Sequence, residues 1–486
     1  MGCTHHSPSP GRCPRLPSAT TTGQQPDGTG ADVLAPGLRQ RPRDRPQWRD
    51  RPGLGRLTQA APVFHDSRSS AIVSQASCTL LAVPNLPLTV VGIGADGWDG
   101  LSPRRAAAVS TAQVIIGGSR QLDLLPEAVT GRRVPLPSPL LPGLEVVIGD
   151  YGDASIVVLA SGDPMFYGIG STLVRLFGAD RVTVLPHPSS VSLAAARLGW
   201  ALDDVEVVSA VGRPLDLLHP ALQPGRRVLV LVAEPSAAAD IRTLLTARGF
   251  GSSPVSVLAD LAGAAESVAP ADQTPHSRLA IVAVECVADA DATPLPRTPG
   301  LPDSAFDQDG QITKHEIRAV ALAALAPMPG QLLWDVGAGS GSIGIEWMRV
   351  HPASRAIAVE PRAERRDRIA RNAAALGVPG LQIVAGTAPA ALVDLPRPDA
   401  VFIGGAITVD GVVQTCVQAL GPGGRLVANA VTIEGEYALV AWRKQLGGSL
   451  IRIAVERADA LGSFTTWRPA LPVVQWSLRK SGHEHE

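Results

Sequence analysis

The chain of 486 residues has few aromatic side chains, almost no lysine and almost no net charge. Phe, Trp and Tyr make up 4% of the residues, and only three of the 43 basic residues are lysine. The formal net charge of −1 argues against a dedicated nucleic-acid binder, because such proteins gain affinity from excess cations that meet phosphates. We therefore expect no nucleic-acid partner.

Cysteine pairs and long apolar runs are also missing. The five cysteines lie far apart without a C-x-x-C motif, which argues against a disulfide framework and is typical of a reducing compartment. No cluster has the ligand spacing of a zinc module, so we expect no metal site. The longest uncharged stretch, residues 69–95, is interrupted by Pro84, Pro87 and Gly92 and is a poor membrane span. No basic-then-apolar signal peptide opens the chain, and we expect a cytoplasmic protein without a membrane partner.

Composition divides the chain into an extension, two folded units and a linker. Residues 1–60 hold nine Arg and nine Pro without apolar periodicity, which predicts a disordered Arg/Pro-rich extension over 1–86. Residues 288–309 are rich in proline, lack an apolar stripe and are predicted to be a linker. The remaining segments, 87–287 and 310–486, are each long enough to bury a core of their own.

Both long segments alternate short Val/Ile/Leu-rich runs with helical patterns, which predicts the α/β class with substantially parallel sheets. The predicted strands of the first unit are Leu88–Val91, Val114–Ile116, Ile156–Leu159, Val182–Leu185, Val205–Val208, Val228–Val232 and Leu279–Val284. Those of the second unit are Leu332–Val336, Ala356–Val359, Leu381–Val384, Ala400–Ile403, Arg425–Ala428, Ile451–Val455 and Pro472–Leu478.

A glycine loop follows the first strand of the second unit. Gly337, Gly339 and Gly341 give a G-x-G-x-G spacing, and the loop amides and the next helix N-terminus offer donors to a ligand carboxylate. The following strand ends in Glu360, an acid placed to accept both ribose hydroxyls of an adenosine-containing cofactor. Position 342 is Ser rather than the third glycine of a dinucleotide site, so the spacing favours S-adenosylmethionine over a nicotinamide cofactor.

The first unit opens with a G-x-G-x-x-G motif at Gly92, Gly94 and Gly97. The next strand ends in Gly117 and Gly118, where a dinucleotide site would need a ribose-binding acid. This motif therefore does not indicate a nicotinamide site.

Two further patterns concern the helices of the second unit. Thr313 and Glu316 form a T-x-x-E pattern that predicts a capping box at a helix start, with His315 at the surface. A run of arginines is expected to form the solvated face of a later helix: Arg362, Arg365, Arg366, Arg368 and Arg371.

Five motifs of the second unit occur together in this order: Ile312–Ala319, Trp334–Glu346, Phe402–Gly405, Leu420–Ala430 and Trp467–Trp476. By these motifs, residues 310–480 resemble the C-terminal half of the precorrin-6B (precorrin-6Y) C5,15-methyltransferase (decarboxylating) family of cobalamin biosynthesis. The resemblance implies a class I, Rossmann-like methyltransferase domain. Its implied contacts to S-adenosyl-L-methionine come from Thr313, Gly337, Ala338, Gly339, Ser340, Gly341, Glu360, Thr387 and Ala388.

The substrate of that family is a tetrapyrrole with many carboxylates. Arginine is the residue suited to bidentate carboxylate binding, so Arg318, Arg457 and Arg468 are candidate substrate contacts. Gly404 and Gly405 are expected on the substrate face as well. Trp467 is expected either to stack on the macrocycle or to pack in the core.

The first unit resembles the tetrapyrrole methylases, class III methyltransferases built from two α/β subdomains. Leu159–Gly168 and Pro186–Ser190 carry this resemblance. It implies cofactor contacts from Gly92, Gly94, Ser161, Gly162 and Asp163. Val211 stands where relatives commonly have His before Gly-Arg.

Together the two resemblances imply a bifunctional S-adenosyl-L-methionine-dependent enzyme. It would methylate precorrin-6B at carbons 5 and 15, remove the carboxyl group of the ring-C acetate and give precorrin-8, with no protein nucleophile. One alternative is that only the C-terminal domain is active and the N-terminal unit is a docking module. Another is a methyltransferase that acts on a different acceptor, such as RNA. A homo-oligomer with a small-molecule substrate is expected.

Overall fold

A computed structural model describes residues 88–273, 277 and 279–482 of the chain. The predicted extension over 1–86 and the last residues, 483–486, lie outside the described residues. In the described part, the α/β class expected from the sequence is confirmed by three large sheets with helices between their strands.

The first sheet is fully parallel, and its strands lie in the order β3-β2-β4-β1-β5. Its strands are β1 (Leu88–Ile93), β2 (Val114–Gly117), β3 (Arg132–Pro135), β4 (Ile156–Ser161) and β5 (Val182–Leu185). The accompanying helices are α1 (Pro103–Ser110), α2 (Ser119–Asp123), α3 (Leu140–Gly149), α4 (Ile169–Phe177) and α5 (Ser190–Leu198). Apolar clusters pack on both faces, which explains why the strands are continuous runs of Val, Ile and Leu.

The second sheet has the order β6-β7-β10-β8-β9, and only its β6–β7 pair is parallel. Its elements are β6 (Val205–Ser209), β7 (Arg227–Val232), α6 (Ala237–Ala247), β8 (Val255–Ala259), β9 (Ser267–Pro270) and β10 (Ala280–Glu285). The expectation of a substantially parallel sheet is wrong here. The short connection from β8 to β9 leaves no room for a crossover helix, and β10 inserts antiparallel between β7 and β8.

The third sheet, in the second unit, has the order β13-β12-β11-β14-β15-β19-β16, in which only β19 runs antiparallel to its neighbours. Its strands are β11 (Leu332–Val336), β12 (Arg355–Glu360), β13 (Gln382–Ala385), β14 (Ala400–Ile403), β15 (Arg425–Ala430), β16 (Ser449–Ile453) and β19 (Val473–Arg479). The helices are α7 (His315–Leu325), α8 (Ser342–Val350), α9 (Ala363–Ala375), α10 (Val412–Ala419) and α11 (Ile433–Leu446). Two apolar clusters cover the faces of this sheet.

A separate antiparallel hairpin, not predicted from the sequence, precedes the last strand. It consists of β17 (Glu456–Leu461) and β18 (Phe464–Pro469), and nearly all of its residues are exposed. Among the described residues, no helix is long and apolar enough to cross a membrane.

The proline-rich segment between the two units packs against both of them. Arg297 pairs with Glu206 and donates to the carbonyl of Pro220 in the first unit. Leu301 and Phe306 are buried in the core of the second unit. These contacts arise from single side chains at irregular spacing, which is why the segment shows no apolar stripe.

The arginine run of α9 forms a solvated face only in part, since Arg362 and Arg371 are exposed. Arg365 and Arg368 are largely buried and pair with Asp309, while Arg371 pairs with Asp307. The ion pairs were not predicted because the acidic partners come from the irregular segment before α7, whose position a helical pattern does not reveal.

Candidate active sites

The carboxyl edge of the third sheet gathers most of the predicted cofactor residues. The loop after β11 contains Gly337, Gly339 and Gly341, whose φ angles are 75°, 60° and 77°. A side chain at these left-handed positions would be strained, so the loop requires glycine. Ala338 and Ser340 lie between them, and the hydroxyl of Ser340 is buried without a hydrogen-bond partner in the described part of the chain.

Glu360 is fixed beside this loop at the end of β12. Its side chain is 2% exposed, and its Oε2 accepts a hydrogen bond from the Gly339 amide at 2.9 Å. Its Oε1 accepts from the Arg362 amide at 3.1 Å. Each oxygen keeps acceptor capacity, because a carboxylate oxygen has more than one lone pair.

Gly404 and Gly405 follow β14, the other neighbour of β11. The Gly404 amide donates to the carbonyl of Val336 at 3.0 Å, and a side chain at Gly404 would lie 3.1 Å from the carbonyl oxygen of Gly337. Both glycines are exposed. The strand order reverses between β11 and β14, which is where open α/β sheets bind ligands.

The segment before α7 passes over the glycine loop. The carbonyl oxygen of Gln311 lies 3.5 Å from the position that a Cβ of Gly339 would take, which brings Thr313 to the same region. The predicted capping box is wrong: Lys314 is the N-cap residue of α7, and no side chain caps it. Glu316 instead pairs with Arg457 at 2.6 Å.

Thr387 and Ala388 follow β13, whose last residue is paired with Glu360 in the sheet. Thr387 is exposed, whereas Ala388 is buried with 6% exposure. A ligand at this turn would therefore meet the side chain of Thr387.

Arg318 is not placed to bind substrate. Its side chain is fully buried, and its guanidinium pairs with Glu346 and Asp303 and donates to the carbonyls of Thr313 and Leu301. The sequence prediction is corrected here: in α7, this arginine faces the core and links the helix to α8.

Arg457 and Arg468 lie opposite each other on the exposed β17–β18 hairpin. Arg457 contacts Glu316 at the start of α7, so the hairpin reaches the segment that covers the glycine loop. Arg468 pairs with Asp459 at 2.8 Å. Trp467, next to Arg468 and opposite Ala458, is 67% exposed, so the interpretation of a core tryptophan is wrong.

Asp335, which sequence reasoning did not single out, lies under the glycine loop. Its side chain is fully buried and accepts a hydrogen bond from the Gly344 amide at 3.0 Å. Burial raises the pKa of Asp335 to about 7, and the nearby charge of Glu360 adds to the rise. The signal in the sequence was an acid placed directly before the glycine loop.

The second site is a cleft of about 550 Å³ between the first and second sheets. This volume lies in the range of small-molecule sites. Gly94, Ser161, Gly162 and Asp163, four of the predicted cofactor residues, line it. Asp163 also accepts a hydrogen bond from the Met165 amide, so it combines turn formation with a position in the cleft.

Gly92 is placed differently from the prediction. It is buried and does not line the cleft, and a Cβ there would lie 2.2 Å from the carbonyl oxygen of Gly162 and 2.6 Å from the His187 amide. Glycine is needed at this position because three backbone segments meet there.

Next to Gly94, His187 and Asp96 form a partly buried pair with 3.0 Å between Nε2 and Oδ2. A Cβ at Gly94 would lie 2.4 Å from Asp96 Oδ1 and 2.7 Å from His187 Cε1. The first glycine motif is therefore shaped by packing against this pair, which sequence reasoning missed because the partners are 91 residues apart.

The opposite wall of the cleft comes from the second sheet and from the turn after β6, which includes Val211, 51% exposed. Phe166 and Tyr167 also line the cleft, and their rings meet edge to face at 5.0 Å. Arg120 and Gln121 of α2 also line the cleft. No sequence motif pointed to these two residues.

Both sites suit the cofactor that the sequence predicted. At the third sheet, a loop without side chains faces a fixed carboxylate, and the buried Ser340 hydroxyl lacks a partner within the described ranges. The cleft offers backbone turns and a carboxylate at the carboxyl ends of β1 and β4. Each site lacks one of the two features of a dinucleotide site: the glycine loop with Glu360 lacks the third glycine, and the N-terminal motif lacks the acid at the end of the next strand.

Comparisons with known proteins agree with this division. A family model described as tetrapyrrole (corrin/porphyrin) methylases matches residues 87–273, and one described as a precorrin methyltransferase domain matches residues 304–480. The fold and the two sites thus define a tetrapyrrole methyltransferase, and S-adenosyl-L-methionine is its methyl donor.

A precorrin-6Y C(5,15)-methyltransferase [decarboxylating] of Sinorhizobium sp is 49% identical over 398 residues, which cover 81% of this chain and 96% of that protein. The chain belongs to this family.

Two shorter relatives each match about a third of this chain. A cobalt-precorrin-7 C(5)-methyltransferase of Salmonella typhimurium is 36% identical over 164 residues, covering 34% of this chain and 80% of that protein. A probable cobalt-precorrin-6B C(15)-methyltransferase (decarboxylating) of Pyrobaculum calidifontis is 34% identical over 183 residues, covering 36% and 93%.

Proposed function

We propose that this chain methylates precorrin-6Y (precorrin-6B) at carbons 5 and 15 and removes the carboxyl group of the ring-C acetate, giving precorrin-8. The observation that carries the proposal is the presence of two separate sites in one chain. One is the glycine loop with Glu360, and the other is the cleft around Asp163.

The C-terminal site is assigned methylation of carbon 15 and the decarboxylation. The loop Gly337–Gly341 and Glu360 bind and orient the cofactor, which supplies an electrophilic methyl group when bound. Arg457 and Arg468 bind substrate carboxylates, and the exposed backbone of Gly404 and Gly405 leaves room for a flat ring. Because a reduced tetrapyrrole carbon is electron-rich, the residues need only align the two reactants and exclude water.

Loss of carbon dioxide pushes electrons into the conjugated ring system. The reaction therefore needs an electron sink in the substrate rather than a strong base in the protein. The contribution of the chain is to hold the macrocycle by its other carboxylates, for which Arg457 and Arg468 are placed on the hairpin.

The N-terminal cleft is assigned methylation of carbon 5. Gly94, Ser161, Gly162 and Asp163 bind the cofactor there, and the apolar walls receive the ring. Val211, exposed in this cleft where relatives commonly have His, favours one competing interpretation, in which the cleft binds the macrocycle without transferring a methyl group.

The mass of the product tests these assignments with the full-length chain. Wild-type protein with precorrin-6Y and S-adenosyl-L-methionine is expected to yield a product with two added methyl groups and one carbon dioxide lost. A decarboxylated product with a single methyl group would support the docking interpretation. A chain that methylates RNA but not precorrin-6Y would overturn the proposal.

We also infer a homo-oligomer, supported by exposed apolar side chains on the hairpin and on α11. Phe464 and Trp467 are 78% and 67% exposed, and Ile433, Tyr437 and Val440 form an exposed stripe at helical spacing. Sedimentation equilibrium is expected to show a multiple of the chain mass. The substitutions Ile433→Asp and Phe464→Asp should reduce it to a single chain, and a wild-type monomer would refute this inference.

A cytoplasmic location is proposed as well. It is supported by a substrate and a donor that are both small intracellular metabolites. Fractionation of the native host tests it: the chain should accompany cytoplasmic markers, and recovery with the envelope would contradict the proposal.

A further inference from the structure

Arg120 is a cation in the N-terminal cleft without an acidic partner in contact. Its Nη2 donates to Ser161 Oγ at 2.9 Å, and no other hydrogen bond or ion pair of its guanidinium is present within the described residues. A guanidinium has five N–H donors, so four of those of Arg120 make no hydrogen bond within the described residues. An arginine in this position can bind an anionic group of a ligand.

The surroundings of Arg120 disfavour its positive charge, so an anionic ligand would stabilise the guanidinium. Burial lowers the pKa of the Arg120 guanidinium, and the charge of Asp260 only partly opposes this effect. Asp260 is not within ion-pair distance, so it does not occupy the donors of the guanidinium.

Gln121 completes a small polar subsite beside Arg120. Its side-chain amide donates to the same oxygen, Ser161 Oγ, at 2.8 Å. Both side chains therefore donate to Ser161 Oγ on the cleft wall, and this shared acceptor holds Arg120 and Gln121 next to each other. Most of the other lining residues are apolar, including Leu231, Leu258 and Ile281 of the opposite sheet.

The ligand that fits this cleft has an apolar body and an anionic edge. Phe166 and Tyr167 line the cleft and are 39% and 50% exposed, and the Arg213 guanidinium covers one face of the Tyr167 ring at 5.3 Å. A tetrapyrrole with peripheral acetate and propionate groups has both properties. The cofactor fits Arg120 less well, because its carboxylate is accompanied by an ammonium and a sulfonium and its net charge is positive.

We propose that Arg120, supported by Gln121, binds a peripheral carboxylate of the tetrapyrrole and thereby sets the orientation of the macrocycle in the N-terminal cleft. This rests on the proposed function of the cleft. Arg120 acts as a substrate-positioning residue, since the bond that forms lies at a ring carbon and not at the carboxylate.

The first test measures methylation of carbon 5 by the full-length chain carrying Arg120→Met. The KM for the tetrapyrrole in this step should rise about tenfold or more, because a charged hydrogen bond is lost, while kcat changes much less. Arg120→Lys should restore part of the affinity. Arg104→Met, on the exposed face of α1, is the matched control and should behave like wild type. An unchanged KM in Arg120→Met would overturn the proposal.

A structural role and a cofactor role give different results. If Arg120 only positions Ser161, Arg120→Met should weaken the binding of an uncharged tetrapyrrole methyl ester as much as the binding of the free acid. If Arg120 binds the cofactor carboxylate, Arg120→Met should weaken S-adenosylhomocysteine at the N-terminal site in calorimetry. Either result would overturn the proposal, which expects unchanged affinity for S-adenosylhomocysteine.

A binding measurement separates this inference from the proposed function. Uroporphyrin, a tetrapyrrole with acetate and propionate groups on its rim, is titrated into the wild type and Arg120→Met, with its methyl ester as the uncharged probe. Arg120→Met should weaken uroporphyrin at one site and leave the ester unaffected. This result would support the subsite even if wild-type protein adds no methyl group at carbon 5. Equal uroporphyrin binding by both chains would refute it.

Discussion

The carboxylate of Glu360 accepts a hydrogen bond from the amide of Gly339 at 2.9 Å, which fixes the acid of β12 against the glycine loop of β11. The two residues are 21 positions apart in sequence and meet because their strands are parallel neighbours. The contact places a negative charge and a set of backbone donors at one edge of the sheet. An adenosine-containing cofactor needs both of these groups.

Replacing Glu360 tests the cofactor position at the C-terminal site. Glu360→Ala is expected to weaken S-adenosylhomocysteine binding there by about 1–3 kcal/mol, because charged hydrogen bonds to the ribose are lost. Calorimetry of the full-length chain should show one weakened and one unchanged equivalent. Glu364→Ala, an exposed acid of α9, is the control. Unchanged affinity at both sites would contradict the proposed ribose position.

The pKa of Asp335 predicts a pH-dependent stability. Its folded pKa, about 7, is above the ordinary value of 3.8, so the folded state binds the proton more tightly than the unfolded state. The contribution of Asp335 to the free energy of unfolding is therefore fully present at low pH. It falls between about pH 4 and pH 7, by at most about 1.4 kcal/mol per pH unit, and is constant above.

Asp335→Asn should remove this decrease in the free energy of unfolding between pH 4 and pH 7. The asparagine side chain is neutral, and its oxygen still accepts the hydrogen bond from the backbone amide of Gly344. The measurement is denaturant unfolding of the C-terminal transition at a series of pH values. The stability of Asp335→Asn relative to wild type should increase as the pH rises from 4 to 7. Asp367→Asn, in the exposed part of α9, should leave the wild-type slope. Parallel curves for wild type and Asp335→Asn would disprove the prediction.

Arg318 and Arg457 are expected to respond in opposite ways to replacement by Met. Arg318→Met leaves Glu346 buried without its cation and should lower the free energy of unfolding by about 3–5 kcal/mol. Arg457→Met removes an exposed group, so it should change stability by at most about 1 kcal/mol and raise the KM for the tetrapyrrole. Unfolding midpoints and KM values check both variants. A stable Arg318→Met protein with a raised KM would reverse the assignment.

The sequence predicted the central strands of the first and third sheets well, because they are buried on both faces and therefore continuous in Val, Ile and Leu. β3 and the β17–β18 hairpin were missed, since their residues are mostly exposed and show no apolar run. β8 and β9 were not predicted as strands. The antiparallel direction of β10 was also missed, because strand direction depends on where a later strand inserts.

The candidate sites were predictable to the extent that their residues lie on loops with a local spacing. The Gly337–Gly341 loop and Glu360 are an example, because strand lengths fix their separation. Arg318 was assigned wrongly since residue type alone does not distinguish a buried ion pair from a substrate contact. Arg120 was missed because its importance comes from a missing partner, which only the packed structure reveals.

Gly94→Ala tests whether packing around the Asp96–His187 pair maintains the N-terminal cleft. The new Cβ would lie 2.4 Å from Asp96 Oδ1 and 2.7 Å from His187 Cε1, so the pair must separate or the loop must move. Such overpacking typically costs about 1–3 kcal/mol, and the displaced loop carries one wall of the cleft.

The mass of the Gly94→Ala product should then show the methyl group of the C-terminal site and the loss of carbon dioxide, but a strongly reduced second methylation. Gly149→Ala is the matched control, because no atom lies within 4 Å of its added Cβ. Full double methylation by Gly94→Ala would show that this packing does not control the cleft.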